Sequence, residues 1–396
     1  LSSLPLDYRP AESADEEAQA ALLRMESFGL APAQEAAWRE CSESTQRRIL
    51  VQAGRVVGTA TYFPAQLAFQ TQKVEVWSLA AVTVSAELRG QGLGRRLLKG
   101  VLQEASERRR ALVALFPSTH AFYRRLGCGW AGSRLLYRIP VQGIALESAT
   151  EAFEVRRLDP RDRETFEALH RRQAELQPGA SFVRGSGLWQ RLLKDALPRY
   201  AYGLFRGERI EGYLAYSLRK LSEGYDLELY DRAFVHPGAA QEAWRFLASL
   251  QPLAKNLLFF GSVDEPWLTW LHEPRWQIEL TQTWMLRITA LVEALQQRAW
   301  PQALDARLPL EVVDPLCSAN QGSFLLHLHQ GKAEVERRKG REVGLRLAID
   351  ELASLYTGLR SASELALQGR VEGSEETLRL ADLLFATPRV WMSDYF

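Results

Sequence analysis

The sequence predicts an α+β chain of three domains. Strand-like runs and helical periodicities alternate along its whole length. A glycine-rich loop joins a long apolar run to a helix at residues 82–98, and the order of elements that leads up to this loop begins again after residue 150. A length of 396 residues fits two or three domains. The expected divisions are 1–150, 151–284 and 285–396.

In the first domain, Ala18, Ala21, Leu22 and Met25 give Glu16 to Phe28 a helical period, and a second helix is expected from Ala33 to Cys41. Arg48 to Gln52, the pair Ala53-Gly54 and Arg55 to Tyr62 read as a hairpin. Val74 to Val84 is a long apolar strand that feeds the loop. After the loop's helix come a buried strand at Ala111 to Phe116, one or two helical turns at Ala121 to Leu126 stopped by Gly127, and a closing strand at Leu135 to Ile139.

The loop reads V-T-V-S-A-E-L-R-G-Q-G-L-G-R-R-L-L from Val82. Leu93, Leu97, Leu98, Val101, Leu102 and Ala105 recur at helical spacing behind it. Glycines let an anion come close to backbone N–H groups, and a helix N-terminus adds partial positive charge. Arg89 brings a planar donor suited to phosphate oxygens. Taken alone, the loop reads more often as a plain structural turn. It is not a P-loop, because no Lys-Ser/Thr follows the last glycine, and it lies in an antiparallel-looking run rather than a dinucleotide-binding βαβ unit.

The second domain restarts with a strand at Glu154 to Leu158 and a helix at Arg163 to Glu175. Strands at Arg199 to Phe205, Arg209 to Arg219 and Asp226 to Val235, a helix at Ala239 to Leu250 and a strand at Asn256 to Phe260 follow. Where the first domain has its loop, this one has V-H-P-G-A-A-Q-E-A-W, with a single glycine, Gly238, and no preceding arginine at the right spacing. It reads as a degenerate copy without an anion site; an unrelated α+β domain is the alternative. The last part opens on Met285-Leu286-Arg287-Ile288 and a helix at Ala290 to Gln297. Strands at Ala306 to Val313, Gly322 to Gln330, Lys332 to Arg338 and Glu342 to Ala348 precede helices at Ile349 to Leu355, Ala362 to Gln368 and Ser374 to Phe385.

Composition narrows the function classes. The 49 basic and 48 acidic residues leave a net charge of +1, which argues against a general nucleic-acid binder. Three scattered cysteines imply no disulfide framework and a reducing compartment, so a cytoplasmic protein is expected. No apolar run approaches the roughly 18 residues of a membrane span. The opening L-S-S-L-P-L-D-Y-R-P has no basic stretch leading into an apolar one.

V-T-V ahead of R-G-Q-G-L-G, then A-L-F-P, then F-Y-R-R-L-G-C-G-W resemble the GCN5-related N-acetyltransferase superfamily. The segments M-L-R-I, D-P-L-C, A-S-L-Y-T-G and the closing L-F-A-T-P-R resemble a sterol-carrier-type α/β domain. An acetyltransferase domain, a degenerate copy and such a tail, in that order, resemble the enhanced-intracellular-survival (Eis) family over essentially the full length. The resemblance implies tandem acetyltransferase folds followed by a sterol-carrier-protein-like domain. It also implies acetyl-CoA as co-substrate, an amine acceptor of aminoglycoside, lysine or polyamine type, and a homo-oligomer, a hexamer. No metal is expected. A lipid or acyl-CoA binder using the tail domain is the alternative.

By the same resemblance, Val82, Thr83 and Val84 pair their backbone with pantetheine, and Arg89, Gly90, Gln91, Gly92, Leu93 and Gly94 hold the pyrophosphate. Tyr123 protonates the departing thiolate, and the carboxylate of Phe396 assists amine deprotonation. Trp38 lines the acceptor pocket. Where the family has small residues and glycine before the final aromatics, this chain has M-S-D-Y, which adds Asp394 as a possible amine-facing carboxylate. Tyr123 taken alone reads as a core tyrosine, and Phe396 as a frayed end. An end of composition W-M-S-D-Y-F is aromatic for a tail meant to stay in water. Glu75 reads first as a solvated strand residue and second as a base. His327 and His329 share a strand face but lack a third ligand at suitable spacing. Cys128 reads as a buried small residue. Arg108, Arg109 and Arg110 read as a solvated helix end, with a contact to the coenzyme's 3′-phosphate as the lesser option.

Overall fold

The first domain of the computed structural model opens with β1 (Leu6–Arg9), α1 (Ala14–Phe28) and α2 (Pro32–Glu40). The structure describes residues 5–43, 46–69, 72–146, 151–177, 179–194, 199–340, 344–386 and 390–396. The expected strand start at Glu342 and the T-P-R of the closing segment lie outside them. Ser13 begins α1 by accepting the N–H of Glu16, and Gly29 ends it with φ 63°. The inward face of α1 is Ala20, Ala21, Leu23 and Arg24, while Leu22 is exposed. The helix is turned from the face that apolar spacing implies, because the Arg24 guanidinium is buried on Glu35 of α2 at 2.5 Å.

β2 (Arg47–Gln52), β3 (Arg55–Phe69) and β4 (Gln72–Val84) form an antiparallel meander. The β2–β3 turn is Ala53-Gly54, both at positive φ. α3 (Leu93–Glu107) buries the six apolar residues that repeat along it, and each such burial contributes about 1–3 kcal/mol. β5 (Leu112–Leu115) lies parallel to β4, and α4 (His120–Arg124) leads to β6 (Gly129–Pro140).

The second domain holds β7 (Glu154–Leu158), α5 (Arg163–Leu176), β8 (Ala180–Val183), α6 (Ser186–Lys194), β9 (Arg199–Arg206), β10 (Arg209–Lys220), β11 (Tyr225–Phe234), α7 (Pro237–Ser249), β12 (Ala254–Gly261) and β13 (Gln277–Ile288). α6 holds the place that α2 has in the first domain, while β8 is an addition to the repeat; β8 leaves its own domain and pairs with β3.

The two domains share one sheet, ordered β1-β2-β3-β4-β5-β13-β6-β12-β11-β10-β9-β7. The exchange of strands in the middle makes it continuous. β6, from the first domain, pairs with β12, while the end of β13 pairs with β5 from Met285↔Leu115 to Ile288↔Leu112. The expected boundary after residue 284 thus falls inside β13, and the M-L-R-I segment completes the first domain's sheet.

The third domain comprises α8 (Leu291–Gln297), β14 (Ala306–Val313), β15 (Gly322–His329), β16 (Lys332–Arg337), β17 (Leu345–Ala348), α9 (Ile349–Tyr356), α10 (Ala362–Leu367), β18 (Val371–Glu372) and α11 (Glu375–Phe385). Its sheet is ordered β16-β15-β14-β17-β18. α9 packs so tightly on β6 that a Cβ at Gly129 would lie 1.8 Å from the Asp350 carbonyl oxygen. Asp314 of the D-P-L-C turn accepts from buried Arg287 of β13 at 2.8 and 2.6 Å and from the N–H groups of Leu316 and Cys317. This ties the third domain to the shared sheet.

Candidate active site

The site begins where two parallel strands part. β4 and β5 pair from Val76↔Leu112 to Leu79↔Leu115, where β5 ends and β4 runs on to Val84. In that extension Ala80 faces Thr61 and Thr83 faces Thr59, so β4 bulges. Ala81 takes φ 50°, a conformation unusual for a residue with a side chain. Thr83 and Val84 remain paired with β3 on one edge, while the other edge of the Val82–Val84 segment lies beyond the end of β5. The Thr83 hydroxyl bonds Ser27 of α1, and Arg89 Nη2 lies 3.5 Å from the same Ser27.

After a short turn at Ala86–Leu88, Gly90 and Gly92 take φ 82° and 81° in open space, and α3 starts at Leu93. The first N–H groups of a helix have no intrahelical partner, and no side chain caps those of α3. Buried Leu93 anchors the turn from beneath, while Arg89, Gly90, Gln91 and Gly92 are exposed. A Cβ at Gly94 would come within 3.3 Å of the Phe122 ring, so this end of the helix rests on the residue beside Tyr123. Exposed glycine backbone, free helix N–H groups and a neighbouring arginine fit a pyrophosphate.

Tyr123 is 6% exposed on α4. Burial pushes its phenol up to about 12 and Cys128 adds to this, against a hydrogen bond with Ser118. Burial likewise pushes the Cys128 thiol up to about 12, which keeps it from acting as a thiolate.

Phe396 is 7% exposed. Its ring lies 5.4 Å from that of Phe116, just past β5, and 5.7 Å from that of Phe182 on β8. The Tyr395 ring also meets Phe116, at 4.7 Å. Upstream, Trp391 exchanges backbone hydrogen bonds with β8: its N–H reaches the Ala180 carbonyl at 2.9 Å and its carbonyl accepts from Phe182 at 3.0 Å. The tail is therefore seated rather than frayed. β8 is the link between tail and first domain, and its four residues are not among the strands expected from the sequence.

Trp38, half-buried on α2, meets Phe63 edge-on at 6.0 Å and lies 5.2 Å from the Arg24 guanidinium. It borders the apolar cluster that holds Phe63, Phe182 and Phe396. Both oxygens of Asp394 accept from Arg184 Nε, at 2.7 and 2.9 Å, so the carboxylate is engaged within the protein. Glu75 pairs with Arg110 at 3.7 Å and Gln66 at 2.7 Å, well before the bulge. Arg108 and Arg109 pair with Glu104 and Glu293 at 2.8 and 3.8 Å. His327 and His329 both face Asp305, at 3.5 and 2.8 Å. Among the described residues no set of three or more His, Cys, Asp or Glu gathers as metal ligands would.

The second domain shows why its loop cannot serve the same purpose. Pro237 at the start of α7 has no N–H, and His236 Nδ1 accepts from Gly238 at 3.1 Å. A Cβ at Gly238 would lie 2.5 Å from the Phe153 ring. The helix end is capped and covered by the protein itself.

Three family models match the chain in succession. Residues 7–131 match an acetyltransferase (GNAT) domain, residues 180–288 a second acetyltransferase (GNAT) domain, and residues 291–393 a sterol carrier protein domain. An uncharacterized N-acetyltransferase of Streptomyces avermitilis is 29% identical over 367 residues, which cover 87% of this chain and 86% of that one. The GCN5-related N-acetyltransferase structure from Anabaena variabilis superposes with a TM-score of 0.94 at 29% identity, over 99% of this chain and 100% of that one. Eis1 from Mycobacterium abscessus shares the fold with a TM-score of 0.81 at 20% identity, over 99% and 100% of the two chains. With two acetyltransferase (GNAT) domains followed by a sterol carrier protein domain, this chain is an N-acetyltransferase.

Proposed function

We propose that the chain transfers the acetyl group of acetyl-CoA directly to a primary amine, of aminoglycoside type or like a lysine or polyamine. The observation that carries this reading is the seat of Phe396, the last residue of the sequence, against Phe116 at the end of β5. That position adjoins the parting of β4 and β5. In this reading the free edge of Val82–Val84 takes the pantetheine amides, and the loop from Arg89 to Gly94 takes the pyrophosphate.

The amine attacks as a neutral base. With Phe396 as the chain end, its carboxylate attracts the ammonium form and receives its proton through water, although a reference pKa near ~3.5 makes it a modest base. As the N–C bond forms, the C–S bond breaks and sulfur leaves with the electron pair. The Tyr123 hydroxyl, still protonated at neutral pH, supplies the proton that sulfur needs. No step passes through an acyl-enzyme, in keeping with the raised Cys128 thiol. Trp38 and the apolar cluster it borders form one wall for the acceptor. The reading extends to a hexamer by family resemblance, and to a reducing, cytoplasmic setting on the three free cysteines. No helix among the described residues is long and apolar enough to cross a membrane.

Deletion of Phe396 tests the reading, with coenzyme A release measured over a panel of aminoglycosides, polyamines and lysine peptides. Turnover should fall about 100-fold with acetyl-CoA affinity retained. Unchanged turnover would remove the terminus from the mechanism. Failure of every amine to release coenzyme A would remove the reaction.

A further inference from the structure

The shared sheet parts a second time, in the second domain. β11 and β12 run parallel from Tyr225↔Ala254 to Leu229↔Phe259, and β11 then continues along β10 to Phe234. At this second parting lies a cavity of about 720 Å³. Phe260, Trp267 and Trp270 form its apolar wall, Arg134 of β6 enters from the first domain, and Trp391 and Ser393 of the tail border it. Among the described residues lining it are neither Tyr123, nor Phe396, nor any residue from Val82 to Gly94.

Among the described residues, two of the three arginines that line this cavity are paired with carboxylates. Arg184 is bound by Asp231 and Asp394. Arg232 donates to Glu265 at 3.0 Å and to the Phe260 carbonyl at 3.0 Å. Asp264 is exposed at the rim. Arg134 is only 6% exposed, with its guanidinium 3.8 Å over the Phe260 ring, and its Nε and Nη1 are buried without an acceptor. Burying charged donors without acceptors is costly, and the cost is met when a ligand supplies the acceptor. Asp394 attracts Arg134 but gives it no hydrogen bond, so the buried guanidinium calls for an anionic acceptor, and the aromatic wall calls for an apolar body. We propose that this cavity binds an organic monocarboxylate, with its carboxylate on Arg134 and its aromatic or aliphatic body against Phe260, Trp267 and Trp270. The cavity shares Phe182 with the seat of Phe396 but includes neither Tyr123 nor the loop from Arg89 to Gly94, and the proposal does not depend on the acetyl-transfer assignment.

Calorimetric titration of the full chain with indole-3-acetate, octanoate and the uncharged indole-3-acetamide tests the proposal. The acids should bind saturably, with indole-3-acetate at least ~10-fold tighter than its amide. Arg134→Met should abolish this preference, leave acetyl-CoA binding unchanged, and raise the melting temperature of the ligand-free protein, because an uncompensated buried charge has gone. Four results would overturn the proposal: equal affinity for acid and amide, an intact preference in the variant, displacement of the acid by acetyl-CoA, or no saturable binding of either acid up to about 10 mM. A lower melting temperature in Arg134→Met would assign the arginine to structure and overturn it as well.

Discussion

Arg184 holds two carboxylates at once. Its Nε lies 2.7 and 2.9 Å from the oxygens of Asp394, and its Nη atoms lie 3.0 and 2.8 Å from those of Asp231. The Tyr213 hydroxyl donates to Asp231 at 2.7 Å and completes the cluster. A residue on the segment after β8 thereby fastens the tail, two positions before Phe396, to β11. Burial alone would raise the Asp394 carboxyl, but Arg184 outweighs it and holds the group below the usual range. Asp394→Asn keeps the shape and removes the charge. It should cost about 1–3 kcal/mol of stability, since Arg184 keeps Asp231. With Phe396 less firmly placed, turnover should fall about 10-fold or more at unchanged acetyl-CoA affinity. Thermal denaturation and coenzyme A release read the two effects separately.

Tyr123→Phe removes one hydroxyl from a buried ring. As the acid of the reaction, Tyr123 should cost ~10²–10⁴ in kcat when lost, with little change in acetyl-CoA binding. Its phenol is pushed up to about 12, so the protonated acid persists across the neutral range and the alkaline limb of the wild-type rate profile should not begin below about pH 10. The same shift bears on stability. A folded pKa above the unfolded value of 10 contributes stability that is present below pH 10 and is lost as pH rises toward 12. The Phe variant should lose less stability over that interval. Equal kcat in the two proteins would leave Tyr123 a core residue.

The glycine loop was legible as a turn into a helix because its geometry is local. Glycine at 90 and 92, the apolar stripe from Leu93 and the strand before them are all set by nearest neighbours in the chain. A docked tail was expected, but its partners were not legible, since they are β8, four residues with too little pattern to signal a strand, and Arg184, which reaches a residue 210 positions away. The strand exchange in the shared sheet was hidden for a similar reason. M-L-R-I has the pattern of any buried strand, and nothing in it says that its partner is Leu112–Leu115. The bulge at Ala81 left no mark either, because alanine gives no hint of positive φ. Asp394 looked like a free carboxylate only while Arg184 was unplaced.

Arg89 is exposed, and the structure places it 3.5 Å from Ser27. Its proposed task is confined to holding the pyrophosphate, away from the reacting atoms. Arg89→Gln should therefore raise KM for acetyl-CoA about 10-fold and leave kcat within a factor of roughly two. Gly92→Ala probes the same loop through the backbone. Nothing lies within 4 Å of the added methyl group, so only the φ of 81° is strained, at a cost of about 1 kcal/mol. Steady-state kinetics at varied acetyl-CoA separates these outcomes from a fall in kcat, which would place the loop nearer the chemistry.

His170 supplies a test on the acid side. It is buried on α5, with the Trp189 ring edge-on at 5.5 Å. Burial, and then the charge of Arg184, lower its imidazole to about 4, against the attraction of Asp231, Asp394 and Glu167. The folded protein therefore carries it neutral, while the unfolded chain takes up a proton below its ordinary value of 6.5. Stability from this group is fully present above pH 6.5 and falls away as pH drops toward 4. At about 1.4 kcal/mol per pH unit, the loss is of the order of 3 kcal/mol. Carboxylates such as Asp394 lose their own contribution at still lower pH, so the histidine is isolated by comparison with His170→Gln. Urea denaturation at pH 7 and near pH 4.5 should show a steeper loss for the wild type than for the variant. Parallel losses would mean that the imidazole is protonated in the folded protein, and that Asp231 and Asp394 draw on it as well as on Arg184.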